Sequence, residues 1–178
     1  MQTSAFYDTL FGDLPLAEWA GQGEKLDMAP WPAFREAAAF QAAGQLAQAQ
    51  LMSGDSAAAR ETATGGLARL TAEPPTGFYV LEGCAGLADV FLELDDRPMA
   101  TKAVKRLGAF ARSFPLGRPR HLLAQGRLQA LNGKRSAAEK LMRKALDEAR
   151  RLALPRDIAL AERHLGRLAG DGRQAAAA

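Results

Sequence analysis

A repeat of about 40 residues, marked by three tight turns, is the feature that most constrains how this chain can fold. The turns centre on Gly54, Asp95 and Gly133, which lie 41 and 38 residues apart. Small residues return at fixed offsets from each turn, as helices that cross closely require. Seven residues before the turns stand Ala47, Ala88 and Gly126, and five residues after them stand Ala59, Ala100 and Ala138. Twelve residues after the turns stand Gly66, Leu107 and Ala145, so the second repeat has a larger residue, leucine, at this offset.

The spacing of apolar residues is helical from about Ala33 onward. Apolar side chains recur every three or four positions, and the period of two that is typical of strands is missing. Even the strand-like run Phe78–Leu81 leads directly into a helical pattern. Longer breaks at residues 73–77, 114–119 and 154–155 alternate with the tight turns, as stacked helical hairpins require. The predicted helices cover residues 33–52, 55–71, 76–94, 97–113, 118–132, 135–153 and 156–169.

This pattern, over roughly Ala33 to Gly170, resembles the longer variety of tetratricopeptide-like repeats. The resemblance implies an all-α fold, a right-handed superhelix of antiparallel helix pairs known as an α-solenoid. The chain departs from the standard 34-residue motif because its early tryptophan is replaced by Ala43, Cys84 and Leu122.

Three segments, residues 77–91, 110–120 and 149–167, are similar to one narrower family. They resemble the C-terminal repeat region of bacterial signalling proteins that join a class III adenylate/guanylate cyclase domain to an ATPase domain. The string Phe-Pro-Leu-Gly-Arg-Pro-Arg at 114–120 is the most specific part. The chain has no Gly-x4-Gly-Lys-Ser/Thr phosphate loop. The resemblance therefore implies a sensory or regulatory repeat domain, without implying cyclase activity.

The ends of the chain differ from its middle. Seven of the twelve aromatic residues lie within the first forty positions, in a segment broken by glycine and proline. We therefore divide the chain into an N-terminal segment, 1–32, a repeat domain, 33–170, and a disordered tail, 171–178. The N-terminal segment either caps the first hairpin or serves as a partner-docking arm with Trp19 and Trp31 as anchors. The first interpretation is favoured because solenoids need capped ends.

Few residues are suited to catalysis or to metal binding. The only cysteine, Cys84, is expected to be a buried, inert thiol at a contact between helices. The two histidines, His121 and His164, have no partners at nucleophile–base positions and are expected to be structural or solvated. We therefore predict no enzymatic activity, no catalytic residues, no cofactor and no metal site.

The modest net charge of +3 hides a strong asymmetry along the chain. Residues 1–113 carry a net charge of −5, and residues 114–178 carry +8. The basic half is either a solvated surface or a surface for an acidic partner or a phosphate-bearing ligand. Few aromatics accompany it, which disfavours stacking on single-stranded nucleic acid. The asymmetry also favours self-association, acidic end to basic end.

These observations predict a non-catalytic scaffold that binds a protein or peptide in a concave groove. The alternative is that the basic half binds nucleic acid or another phosphate-bearing ligand. The candidate partner-binding residues are Arg118, Arg120, Arg127, Gln129, Arg163, Arg167, Trp19 and Trp31.

The chain shows no signal-peptide pattern at its start and no run of 18 apolar residues. A lone cysteine fits a reducing compartment. We therefore expect a cytoplasmic, bacterial-type protein without a membrane partner.

Overall fold

Helices separated by short turns make up the part of the chain that the structure describes. The structure is a computed structural model; it describes the backbone over residues 32–72 and 77–177, and side chains over 38–70 and 77–170 apart from Tyr79. Within these ranges the fold is all-α and contains no strand. The helices are α1 (Pro32–Met52), α2 (Ser56–Ala72), α3 (Leu81–Glu93), α4 (Arg97–Ser113), α5 (Arg118–Leu131), α6 (Arg135–Arg151) and α7 (Pro155–Ala177).

The three tight turns of the repeat share one backbone conformation. Gly54 and Gly133 have φ values of +88° and +73°, and Asp95, at the same position of the second turn, has +50°. In each turn the next residue donates its N–H to a carbonyl five residues back, for example Asp55 to Gln50 at 2.9 Å. This is the left-handed cap that commonly ends helices, and it explains the glycines at two of the three positions.

Aspartates begin the second helices of the first two hairpins. Asp55 accepts a hydrogen bond from the Ala58 backbone N–H at 2.9 Å, and Asp96 accepts one from that of Met99 at 3.2 Å. Both are N-caps, which satisfy amides that the first turn of a helix leaves unpaired. The repeat places Lys134 at the same position before α6, and its side chain makes no cap hydrogen bond.

Two helix boundaries, the start of α3 and the end of α7, differ from the sequence prediction by more than two residues, and the others agree within two. Residues Phe78–Val80 form a single 3₁₀ turn, so α3 begins at Leu81 and not at 76; aromatic and β-branched residues have low helix propensity. The break before Pro155 is a tight turn like the others, with Ala153 at φ +51°. Helix α7 runs to Ala177, through most of the expected tail, because glycine within a helix costs only about 1 kcal/mol.

The small residues of the repeat lie in the core, as predicted. All nine positions at the three offsets are buried. At Gly126 of α5 a β-carbon would lie 2.8 Å from Met142 Cγ and 3.1 Å from the Ala138 carbonyl oxygen of α6. This close approach is the physical reason for the small residue in the third hairpin.

Glycines also bring the first helices of two consecutive hairpins together. A β-carbon on Gly83 of α3 would lie 2.8 Å from Gln41 Cα of α1, and one on Gly86 would lie 2.7 Å from the Gly44 carbonyl oxygen. A β-carbon on Gly44 would clash in turn with the backbone of Gly83. Backbone meets backbone here, an approach that the sequence analysis did not anticipate.

Contacts between the described helices follow chain order. Helices α2 to α7 each pack on their neighbours in the chain, and α3 also contacts α5, α5 contacts α7, and α2 contacts α4. The main core cluster extends from α1 to α5, and a second cluster, which includes Leu123, Ala138, Met142 and Ala145, lies among α5, α6 and α7.

Candidate functional site

Two rows of polar residues cross the first helices of the hairpins, which are α1, α3 and α5, and continue onto α7. The first row consists of Gln41, Glu82, Arg120 and Asp157, and the second of Gln48, Asp89, Arg127 and His164. Consecutive members of each row are 41, 38 and 37 residues apart, close to the repeat period. The two members on one helix are seven residues apart, which is about two turns, so they share a face. We call these eight residues the polar ladder.

Arg120 is the centre of the first row. Its side chain is 4% exposed, and its Nη2 donates to Glu82 Oε2 of α3 at 3.2 Å. Its Nη1 lies 3.6 Å from Asp157 Oδ1 of α7 and makes no hydrogen bond. Arg120 therefore links α3 to α7 from the helix between them.

Arg127 holds the second row together. Its Nη1 donates to Asp89 Oδ1 at 2.5 Å and its Nη2 donates to Glu93 Oε1 at 2.7 Å. On the other side, Gln48 Nε2 of α1 donates to Asp89 Oδ2 at 3.2 Å. The guanidinium of Arg127 is thus shared by two carboxylates of α3, a geometry for which arginine is well suited.

A direct ion pair joins α3 to α7 across α5. Arg156 Nη1 lies 2.8 Å from Glu82 Oε2, although the two helices belong to hairpins that are not consecutive. Arg120 lies beneath this pair and is almost inaccessible to solvent. Glu82 of α3 therefore pairs both with Arg120 of α5 and with Arg156 of α7.

Burial shifts the pKa of two ladder residues. His164 is buried, and burial together with the nearby Arg127 lowers its pKa to about 4, so the imidazole is neutral at pH 7. Burial also raises the pKa of the Asp157 carboxyl, while the Arg120 guanidinium opposes that shift. Histidine here is a buried structural residue, in agreement with the sequence interpretation.

The predicted partner-binding residues fall into different environments. Arg120 and Arg127 are buried and hold intramolecular ion pairs. Gln129 is half-buried. The exposed candidates are Arg118 on α5, and Arg163 and Arg167 on α7. Trp19 and Trp31 lie outside the described residues, as does the rest of the predicted N-terminal segment 1–32 except Pro32.

Cys84 and His121 both lie in packed surroundings. Cys84 is 1% exposed, which confirms the predicted burial, and burial raises the pKa of its thiol to about 12. That the thiol is inert stays a prediction. His121 lies over Gly108 of α4, where a β-carbon would come within 2.6 Å of His121 Nε2. Among the described residues, no three His, Cys, Asp or Glu side chains are grouped so that they could hold a metal ion.

The sequence analysis missed the acidic members of the ladder. It selected the arginines by charge, whereas Glu82, Asp89 and Glu93 on α3 are the carboxylates that neutralise them. The signal was present: Glu82 precedes Arg120, and Asp89 precedes Arg127, by the same 38 residues that separate the turns. Oppositely charged residues at equivalent positions of consecutive repeats predict ion pairs between them.

Comparisons with protein-family models, with curated proteins and with solved structures find no match to this chain. In the described part of the chain, no helix is both long enough and apolar enough to span a bilayer.

Proposed function

We propose that this chain is a non-catalytic protein-interaction module built from tetratricopeptide-like helical hairpins stacked as an α-solenoid. The contacts of α3 with α5, of α5 with α7 and of α2 with α4 support this arrangement, because they join equivalent helices of consecutive hairpins. Such stacks present extended surfaces on which other proteins commonly bind. The resemblance to signalling proteins suggests a sensory or regulatory role for the module.

The register of the polar ladder is the single observation that carries this proposal. Four helices contribute residues at matching positions, and direct contacts link the ladder from α1 through α3 and α5 to α7. Matching positions in contact support the proposal that each hairpin stacks on the next in a similar way. The regular stacking supports a repeat architecture more strongly than the spacing of the turns alone.

The ladder also changes where we expect the partner. Arg120 and Arg127 are occupied by carboxylates of the same chain, so binding through them would require breaking buried ion pairs. The proposed contact residues are therefore the exposed arginines, among them Arg118, Arg163 and Arg167. Helix α7 would serve as the polar end of the described stack, as terminal repeats need a soluble outer face.

A reciprocal capture experiment tests the proposed function. The full chain is immobilised at low salt, bound proteins are identified, and each candidate is purified and titrated against the chain by calorimetry. We expect one partner to be recovered in both directions and to bind with a measurable Kd. A folded chain that recovers no partner, but converts a small molecule, would contradict the proposal.

A second candidate function is the binding of nucleic acid or another phosphate-bearing ligand. Residues 97–151 contain fifteen Lys or Arg and only three Asp or Glu, a net charge of +12, and this observation favours a polyanion. Titration of a labelled duplex at several salt concentrations tests it, because phosphate contacts release counterions and affinity then falls steeply with salt. Affinity that does not change with salt would exclude it.

A further inference from the structure

Helix α4 has an unusual composition for a helix on the surface. Its seventeen residues include five Lys or Arg and no Asp or Glu. Two of the five are not both exposed and unpaired: Arg97 pairs with Asp95 at 3.0 Å, and Arg106 is half-buried. The other three, Lys102, Lys105 and Arg112, are exposed and form no ion pair with a described residue.

The three exposed cations lie on one face of α4. Lys105 follows Lys102 by three residues and precedes Arg112 by seven, spacings that bring side chains to the same side of a helix. Ala109 lies between them on that face and adds no bulk. At 1.5 Å per residue the three positions extend over about 15 Å. We call Lys102, Lys105 and Arg112 the cationic stripe.

One end of the stripe lies near the start of α5. The charge of Arg112 contributes to a lowered pKa of the His121 imidazole on α5, after the larger effect of burial. Arg118, one turn before His121, is exposed, and its charge acts on Glu148 of α6. The stripe therefore consists of the cations of α4.

Helix α6 neutralises part of its exposed positive charge within the helix, whereas its exposed Lys140 and Lys144 form no ion pair with a described residue. Arg143 pairs with Glu139 at 2.7 Å, and Arg151 pairs with Glu148 at 2.7 Å, both within the helix. Helix α4 offers its exposed cations no such partner, and like charges close together on one helix are unfavourable by themselves. A partner that brings negative charge to the stripe would relieve this repulsion.

We propose that the cationic stripe binds an acidic peptide segment of a partner protein. The charge complementarity is with a single row of carboxylates, because the stripe is one helix wide and about 15 Å long. A duplex nucleic acid is the poorer match, since affinity for a duplex comes from neutralising many phosphates and the stripe supplies three cations. This inference rests on the proposed function and specifies the surface and the partner chemistry.

The experiment measures binding of the full chain to a labelled octaglutamate peptide by fluorescence anisotropy, at low salt and at about 0.15 M salt. An octaglutamine peptide and a 20-base-pair DNA duplex serve as alternative probes. The test variant is Lys102→Ala/Lys105→Ala/Arg112→Ala. The matched control, Lys134→Ala/Lys140→Ala/Lys144→Ala, removes the same charge from other exposed positions. Circular dichroism verifies that both variants are folded.

We expect the octaglutamate peptide to bind, octaglutamine not to bind, and the stripe variant to lose about tenfold or more in affinity. The control variant is expected to lose less than about threefold. Equal losses in both variants, or no binding of octaglutamate, would overturn the inference. The duplex could bind more tightly than octaglutamate and lose the same factor in affinity in the stripe variant. That result would overturn the inference in favour of nucleic acid.

The failure of this inference can be told apart from failure of the proposed function. A partner found by reciprocal capture could bind the stripe variant with the same affinity as the natural chain. That result would contradict the inference about the stripe and would still support the proposed interaction module. A folded chain that recovers no partner, but converts a small molecule, would contradict the proposed module itself.

Discussion

Lys134 occupies a position at which the two preceding repeats have an aspartate that caps a helix. Asp55 and Asp96 each accept a backbone N–H of the following helix, and Lys134 makes no such bond. A lysine also places positive charge at the positive end of the helix dipole, which is unfavourable.

We therefore predict that Lys134→Asp stabilises the protein by about 1 kcal/mol, through a new cap at the start of α6. The free energy of unfolding from urea denaturation measures the effect. Lys134→Ala is the control, because it removes the lysine charge without adding an acceptor. Equal stability of the two variants would show that no cap forms.

His164 gives the stability of the protein a dependence on pH. The folded state holds its pKa at about 4, whereas an unfolded histidine titrates near 6.5. Between these values the unfolded chain binds more protons, so stability falls as the pH is lowered from about 6.5 to about 4. Asp89, Arg127, Arg163 and Arg167 are the charged groups that act on the imidazole.

We predict that His164→Gln reduces the loss of unfolding free energy on acidification by up to about 3 kcal/mol. The measurement is the free energy of unfolding at pH 4.5 and at pH 7, compared between the natural protein and the variant. Asp157, whose pKa is raised, and His121 are present in both proteins, so their contributions cancel. An identical pH dependence in the two proteins would contradict the assignment.

Close backbone packing between α1 and α3 makes glycine necessary at Gly83. A β-carbon there would lie 2.8 Å from Gln41 Cα and 3.0 Å from the Phe40 carbonyl oxygen, and neither backbone atom can move without shifting a helix. Gly65 of α2 has open space around it instead. The two glycines therefore differ in tertiary surroundings, although both lie in helices.

We predict that Gly83→Ala destabilises the protein by about 1–3 kcal/mol, as overpacking does. Gly65→Ala is the matched control and is expected to stabilise by up to about 1 kcal/mol, because alanine favours a helix. Thermal denaturation of the two variants decides the matter. A shift of both in the same direction would mean that the approach of α1 and α3 is looser than described.

Arg127 is the residue through which α5 is tied to α3 in the second row of the ladder. Replacing it with methionine keeps an apolar stem and removes the guanidinium that Asp89 and Glu93 share. We predict a loss of about 2 kcal/mol in the free energy of unfolding, less than for a fully buried pair because both carboxylates are partly exposed. The control, Arg167→Met, removes an exposed arginine of α7 and should change stability by less than about 0.5 kcal/mol. Equal effects would mean that the ladder pairs contribute nothing.

At the scale of the whole molecule, α7 covers the second core cluster. Leu160, Leu165 and Leu168 pack against the cluster that contains Leu123 and Met142. A chain that stops after Leu154 would expose this apolar surface, which costs free energy in proportion to its area.

We predict that truncation after Leu154 lowers the melting temperature by about 10 °C or more and increases binding of a hydrophobic dye. Truncation after Gly170 keeps these three leucines, and its melting temperature should stay within about 2 °C of the full chain. Calorimetry on the three lengths provides the comparison. If the shorter chain melts like the full chain, α7 does not contribute to the core.

Charge at this scale is less asymmetric than the halves of the sequence suggested. Carboxylates of the acidic half, Glu82, Asp89 and Glu93, pair with Arg120, Arg127 and Arg156 of the basic half. Part of the difference between −5 and +8 is therefore neutralised inside the molecule. What stays exposed on α4 and at the start of α5 is the charge available to a partner.

The helices, their turns and the small residues between them could be predicted from the sequence. Those features depend on local periodicity, on glycine at left-handed turns and on spacing along one chain, all of which can be read from neighbouring residues. The burial of Arg120 and Arg127 in ion pairs, and the contact of Gly83 with the backbone of α1, depend instead on how the helices pack. The physical reason is that an exposed arginine and an arginine in a buried ion pair cannot be distinguished in the sequence. Which of the two forms depends on how closely one hairpin packs on the next, and that packing involves residues about 38 positions apart in the chain.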